Sequence, residues 1–147
     1  MENLLSQVEA IRSQGTFFAP LSADRRFLTC ATRDIAATAA ELLLDDSWTG
    51  QDSVPIVGPD LLSYAEMAQI MTEVLQRPVH FQQISDEAFR ATLRRAGVSE
   101  AWAEGGAAIM AATDRDTYAT AAGAPAPSAP TGFRRWCEEV LKPAVDS

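Results

Sequence analysis

Few residues in this chain could do chemistry, and their spacing narrows the choice further. The single histidine, His80, lies in the alternating stretch 79–84 and shares a strand face with Gln82. Histidine is the residue type suited to proton transfer, so His80 is either a general base or a structural residue on a half-exposed face. Asp116 and Tyr118 stand two residues apart beside a proline-rich stretch. As a catalytic pair the carboxylate would accept a proton and the phenol would donate one into a covered pocket; as ordinary loop residues both would be solvated. Asp34 places a carboxylate in the first turn of a helix, where a capping role accounts for it. Cys30 and Cys137 are far apart and sit among apolar residues. They make no disulfide framework and read as small core residues with reduced thiols, which points to the cytoplasm. One histidine and two distant cysteines cannot form a zinc set, and no acidic loop has calcium spacing, so no metal is expected.

Several reactive devices are missing. No G-x-G-x-x-G follows a strand, and no Walker loop is present. Neither tyrosine has a lysine four residues on: positions 68 and 122 are both alanine. No G-x-S-x-G elbow occurs. Residues alone therefore predict no cofactor. The charge of −8, from 12 basic and 20 acidic residues, repels nucleic acid. The clusters Arg25-Arg26, Arg94-Arg95 and Arg134-Arg135 read as solvated helix ends and loops. No apolar run approaches the roughly 18 residues of a membrane span, and the opening MENLL is not a secretory signal. One lysine against eleven arginines, with abundant alanine, indicates GC-rich coding and a bacterial source.

The elements that must position these residues can be read in order. The 147 residues, 47% hydrophobic, are enough for one domain with a real core. Leu4, Leu5, Val8 and Ile11 mark one helical face over 2–13, ended by Gly15. Residues 16–19 form a short strand closed by Pro20, and 27–30 a second. The second passes into an alanine-rich helix to Asp45, with Thr32 as its cap and an alanine face that packs on a sheet. Val54 to Val57 is a further strand at an edge. Ser63 and Glu66 form a capping box for a helix that Arg77-Pro78 stops. Residues 79–84 are a strand; 86–96 and 99–112 are helices, the latter weakened by Gly105-Gly106. Residues 113–130 are a loop or flexible flap, because their prolines and glycine remove donors and helix propensity. Thr131 caps a last helix, 132–141. The fold class is thus α/β: one domain over 1–147, a small mixed sheet of four short strands, and five or six helices.

Five segments in series carry a resemblance: MENLL at 1–5, GTFFAP at 15–20, RDIAATAAELLLDD at 33–46, VGPDLLSYAEMAQIM at 57–71 and RPVHF at 77–81. In order and spacing they resemble the C-terminal, substrate-side half of NmrA-like atypical short-chain dehydrogenases/reductases, a group that includes quinone- and azo-reductase-like enzymes. The resemblance covers nearly the whole chain and weakens after about residue 113. It implies a truncated Rossmann-type protein without the half that carries the glycine-rich pyrophosphate loop. It also implies a substrate pocket lined by Asn3, Phe17, Phe18, Pro20, Trp102, Met110 and Tyr118, whose aromatic and methionine side chains suit a flat apolar ligand.

Three functions remain open on these grounds. The first is a protein that binds an aromatic, quinone-like or polyketide-like compound without autonomous hydride transfer. The second is a cofactor-independent isomerase, cyclase or dehydratase of secondary metabolism, using Tyr118 and Asp116. The third is a reductase subunit completed by a separate Rossmann chain, the only case in which NAD(P) would be involved. Apolar surface left by the missing half would be covered by a second copy, in a homodimer, or by a partner chain.

Overall fold

The computed structural model describes residues 1–114 and 129–147. A 3₁₀ turn, Glu2–Gln7, runs into α1 (Val8–Gln14). Gly15 closes α1 in the left-handed conformation, with φ of 61°, a backbone state that glycine adopts without strain. A Cβ at this position would stand 2.6 Å from the Pro78 carbonyl oxygen, so close approach of the chains adds a second reason for glycine.

Strand β1 (Thr16–Ala19) pairs in parallel with β4 (His80–Gln83), placing Phe17 opposite Phe81. Strand β2 (Arg26–Leu28) pairs antiparallel with β3 (Leu61–Ser63). The mixed α/β class is present, with four strands among the described residues divided into two pairs. The outer edge of β1 is closed by one side chain. Gln7 Oε1 accepts the Phe18 N–H at 2.8 Å and Gln7 Nε2 donates to the Phe18 carbonyl at 3.0 Å. The amide thus stands in for a neighbouring strand at Phe18.

Helix α3 (Tyr64–Leu75) starts from the full reciprocal capping box of Ser63 and Glu66. It buries Met67, Met71 and Leu75 on one face. The C-terminal rod consists of α6 (Phe133–Trp136), a π-helical turn (Cys137–Leu141) and α7 (Lys142–Asp146). Pro143 lies in the first turn of α7 and has no N–H to give to the preceding turn, which is consistent with a wider π register just before it. Ile11, Phe17, Met71, Phe133, Trp136 and Leu141 are fully buried between α1, β1, α3 and this rod. Each such side chain contributes about 1.5–3 kcal/mol on burial.

Three local expectations are corrected. Residues 54–57 form no strand; β3 lies a few residues on, because its antiparallel partner β2 sets the register. The N-cap of α2 (Thr32–Leu44) is Ala31, which has no capping side chain. The Thr32 N–H instead donates to Glu2 Oε2 at 3.1 Å, so a carboxylate from another element caps the helix. Nor does α2 pack its alanine face on a sheet. Apart from Asp34 its residues are exposed or half-buried, and Leu43 and Leu44 are 84% and 86% exposed.

Helices α4 (Asp86–Arg95) and α5 (Glu100–Asp114) form a hairpin packed chiefly on itself. Ala103 and Ala107, one turn apart, are buried at the seam. Gly106 adds close approach: a Cβ there would meet Leu93 Cδ1 at 3.3 Å. Arg90 pairs with Glu104 at 3.1 Å and Arg94 with Glu100 on the outer side. These exposed pairs fix geometry more than they stabilise.

Candidate functional site

A cavity of about 880 Å³ opens between the N-terminal turn, the C-terminal end of β1, the start of α3 and the α4–α5 hairpin. Its floor belongs to the core, with Phe17, Met67 and Phe133 at the base. Phe18, Ala19 and Pro20 form one side where β1 ends. Phe89, Leu93, Trp102, Ile109 and Met110 come from the hairpin and form the other. Trp102 is 68% and Ile109 55% exposed, so large apolar surface faces open space at the mouth. Concave apolar lining with a few polar groups is the general character of small-molecule sites.

The polar lining is sparse. Asn3, Ser6 and Gln7 come from the N-terminal turn, and Thr29 and Tyr64 from the wall. Among the described residues, Glu2 is the only acidic side chain there, and no lysine or arginine side chain lines the cavity. Glu2 is already committed. Its Oε1 accepts the Trp136 indole N–H at 2.9 Å, and its Oε2 accepts the Thr32 N–H. The terminal ammonium lies 3.5 Å from Oε2 and donates to the Cys30 carbonyl at 3.0 Å. Burial acts to raise the Glu2 pKa, but the backbone and indole N–H groups and the ammonium outweigh it and hold it below its usual value. Burial alone pushes the Tyr64 phenol up to about 12. It also pushes the Cys137 thiol up to about 12, so that core thiol is inert near neutrality. Among the described residues, no cluster of histidine, cysteine and carboxylates could hold a metal, and no helix is long and apolar enough to cross a membrane.

Asn3, Phe17, Phe18, Pro20, Trp102 and Met110 all line this one cavity. Tyr118 and Asp116 lie outside the described residues. His80 is exposed on β4 and is not part of the lining. Asp34 does not cap its own helix. It is buried and accepts from the Thr131 N–H at 2.9 Å and the Thr131 hydroxyl at 2.8 Å. Thr131 in turn is not the cap of the last helix. Gly132 holds that position, and Asp60 accepts the Phe133 N–H at 2.7 Å. Glu2, Phe27, Thr29, Tyr64, Phe89 and Leu93 are lining residues that sequence reasoning passed over. Tyr64 had only one local signal, its place after the capping Ser63, and that signal concerns the helix rather than the cavity.

No protein-family model matches the chain. It is 34% identical over 104 residues to an NAD(P)H azoreductase of Xenophilus azovorans, a match spanning 71% of this chain and 36% of that protein. It is 28% identical over 102 residues to an agroclavine dehydrogenase of Claviceps fusiformis, spanning 67% and 35%. In fold it is similar to a Citrobacter sp. triphenylmethane reductase complexed with NADP(H), with a TM-score of 0.57 and 23% identity, covering 99% of this chain and 47% of that one. An NADPH-dependent quinone oxidoreductase from Escherichia coli, complexed with NADPH, matches with a TM-score of 0.60 and 21% identity, covering 99% and 49%. The chain thus spans about a third of the curated relatives' length and about half of the solved structures.

These likenesses overturn the expectation that no cofactor is involved. That expectation rested on the missing glycine-rich loop, which speaks only for the phosphate end of a dinucleotide. The other end of such a molecule reaches a substrate pocket built by other elements. The relative is an NAD(P)H azoreductase, and the two solved neighbours are a reductase complexed with NADP(H) and an NADPH-dependent quinone oxidoreductase; this chain is similar in sequence to part of the first and in fold to part of the others.

Proposed function

We propose that this chain is the substrate-binding part of an NmrA-like NAD(P)H-dependent reductase, and that its cavity takes a flat aromatic or quinone-like acceptor. The observation that carries this reading is the cavity of about 880 Å³ with aromatic walls on both sides and, among the described residues, no lysine or arginine side chain in its lining. Such a lining binds a planar ring by apolar contact and stacking.

NAD(P)H, when bound, supplies a hydride. The lining fits the flat ring end of that molecule or of an acceptor. It does not fit a pyrophosphate, because among the described residues it offers neither a cationic side chain nor a glycine-rich turn at a helix start. The phosphates are therefore assigned to an α/β portion outside the described residues. The exposed apolar side of α2, with Ile35, Leu42, Leu43 and the nearby Trp48, is the surface assigned to that portion, on a partner chain. What this chain does is hold the acceptor and exclude water: Phe17 and Phe133 form the base and the α4–α5 hairpin the cover. A cofactor-independent lyase or isomerase has no acid–base pair among the described lining residues to favour it.

Titration with duroquinone tests the reading. Saturable quenching of tryptophan fluorescence, largely lost in Trp102→Phe, is expected. Absence of saturable binding to the purified chain would remove the proposal. NADPH oxidation followed at 340 nm, with the nucleotide-binding part of the azoreductase relative supplied as a separate chain, tests the redox assignment. A second copy on α2 instead of a partner would appear as a dimer in light scattering.

A further inference from the structure

The polar residues of the cavity include two hydroxyls whose environment the fold itself does not complete. Tyr64 is mostly shielded from solvent, yet its hydroxyl makes no hydrogen bond among the described residues, and burial alone accounts for its raised pKa. The Thr29 hydroxyl is buried and likewise has no hydrogen-bond partner. Both residues line the same cavity. A buried hydroxyl without a partner costs about 1–3 kcal/mol. Native interiors seldom leave such groups unmatched, so the Thr29 hydroxyl calls for an explanation, and the Tyr64 hydroxyl lines the same cavity with its hydrogen-bonding capacity unused by the described residues.

Both groups are held rigidly. The Tyr64 ring stacks on Phe81 with centroids 4.5 Å apart and planes 7° from parallel. Phe27 and Phe17 meet it edge-on at 4.9 and 6.0 Å. Three aromatic contacts leave the ring little freedom, so the hydroxyl is preorganised. Thr29 is held from behind by Gly58, where a Cβ would lie 1.7 Å from the Thr29 carbonyl oxygen. The phenol stays protonated throughout the neutral range, so it can donate but carries no charge.

We propose that the Tyr64 and Thr29 hydroxyls are the polar anchor of the cavity, donating hydrogen bonds to a carbonyl-type oxygen on the planar aromatic ligand. This deepens the reading of the cavity as an aromatic-acceptor site and rests on it. The lining then selects twice: its aromatic walls take any flat apolar ring of suitable size, and the two donors favour a ring bearing an acceptor. During reduction of a carbonyl acceptor the same donors face the oxygen on which negative charge grows, and stabilise it there.

Equilibrium dialysis with two matched compounds tests this, 2-acetylnaphthalene carrying the acceptor and 2-ethylnaphthalene lacking it. The wild-type chain is expected to bind the ketone about tenfold more tightly or better, the scale of one to two net hydrogen bonds. Tyr64→Phe should weaken the ketone by about tenfold and leave the hydrocarbon unchanged. Thr29→Val should act in the same direction, and in the double variant the two affinities should converge. Both substitutions are close to isosteric, and circular dichroism checks that each variant folds. Equal affinity of the wild type for the two compounds, or equal loss of both in Tyr64→Phe, would overturn the anchor while leaving the cavity reading intact. Failure of both compounds to bind the wild type would sink the cavity reading itself.

Discussion

Asp34→Ala should be among the most destabilising single changes outside the apolar core, although no catalytic role attaches to the residue. The Asp34 carboxylate is 7% exposed and accepts two bonds from Thr131, at 2.9 Å from its N–H and 2.8 Å from its hydroxyl. It therefore pins the start of α2 to the approach of the C-terminal rod. Each hydrogen bond to a carboxylate is worth about 1.5–3 kcal/mol net. Alanine removes both and leaves the Thr131 N–H buried without an acceptor, while relieving the cost of holding a carboxylate away from water. The Thr131 hydroxyl keeps a partner, since Arg33 Nε donates to it at 3.0 Å. The balance is a loss of about 3 kcal/mol. In a chain of this length that lowers Tm by roughly 6–12 °C. Urea unfolding should show the midpoint falling with the slope unchanged. Thr131→Val removes the hydroxyl's bond to Asp34 and the one it accepts from Arg33; it should cost about 1–2 kcal/mol, and the Asp34 share of that disappears in the Asp34→Ala background. A loss below 1 kcal/mol for Asp34→Ala, or additive effects in the pair, would refute the pin.

Other outcomes follow from the same structure. An unfolded cysteine ionises from about pH 9 while Cys137 stays protonated up to about 12, so the unfolded state releases its proton first and stability falls as pH rises above about 9. Cys137→Val should flatten that alkaline slope in urea midpoints, and Tyr64 adds a similar fall above its ordinary value of 10. Glu2 has the opposite sign. Its folded pKa lies below 4.5, so its contribution is present above that value and lost as pH falls through the folded pKa. Glu2→Gln should lower stability at pH 7 and reduce the acid loss, read by thermal melts between pH 7 and 3. Gly58→Ala would force a Cβ to 1.7 Å from the Thr29 carbonyl oxygen and should leave no soluble folded chain on expression. Gly105→Ala meets no atom within 4 Å inside helix α5, and should raise stability by about 0.5–1 kcal/mol in the same assay.

Much of the secondary structure was legible because its signals are local. Gly15 ends α1, Ser63 and Glu66 cap α3, and Ser85 accepts the Ala88 N–H at 3.2 Å to start α4. Each of these interactions closes within about four residues, so spacing alone encodes it. The segment at 54–57 misled for a related reason. Its β propensity describes a fit to a half-buried sheet surface, and this fold pairs β2 with 61–63 instead. The apolar spacing of α2 predicted a packed helix, because periodicity reports that a face is apolar and not what covers it. The resemblance implied a pocket at positions 17, 18, 102 and 110, which residue type alone left open to a core role, and they line one cavity. The polar residues that could orient a ligand there, Thr29 and Tyr64, had no pattern to find.

By itself, then, the amino-acid sequence determined the end of α1, the caps of α3 and α4, the net charge, the α/β class and the likeness to one half of a reductase. Local hydrogen bonding, side-chain period and net charge are properties of neighbouring residues or of their sum. The tertiary structure alone decided which carboxylate caps which helix, that Asp34 meets Thr131 across 97 positions, and that Phe17, Tyr64, Thr29 and Trp102 face one space. These depend on where distant segments come to lie once the core has closed, and no spacing along the chain carries that information.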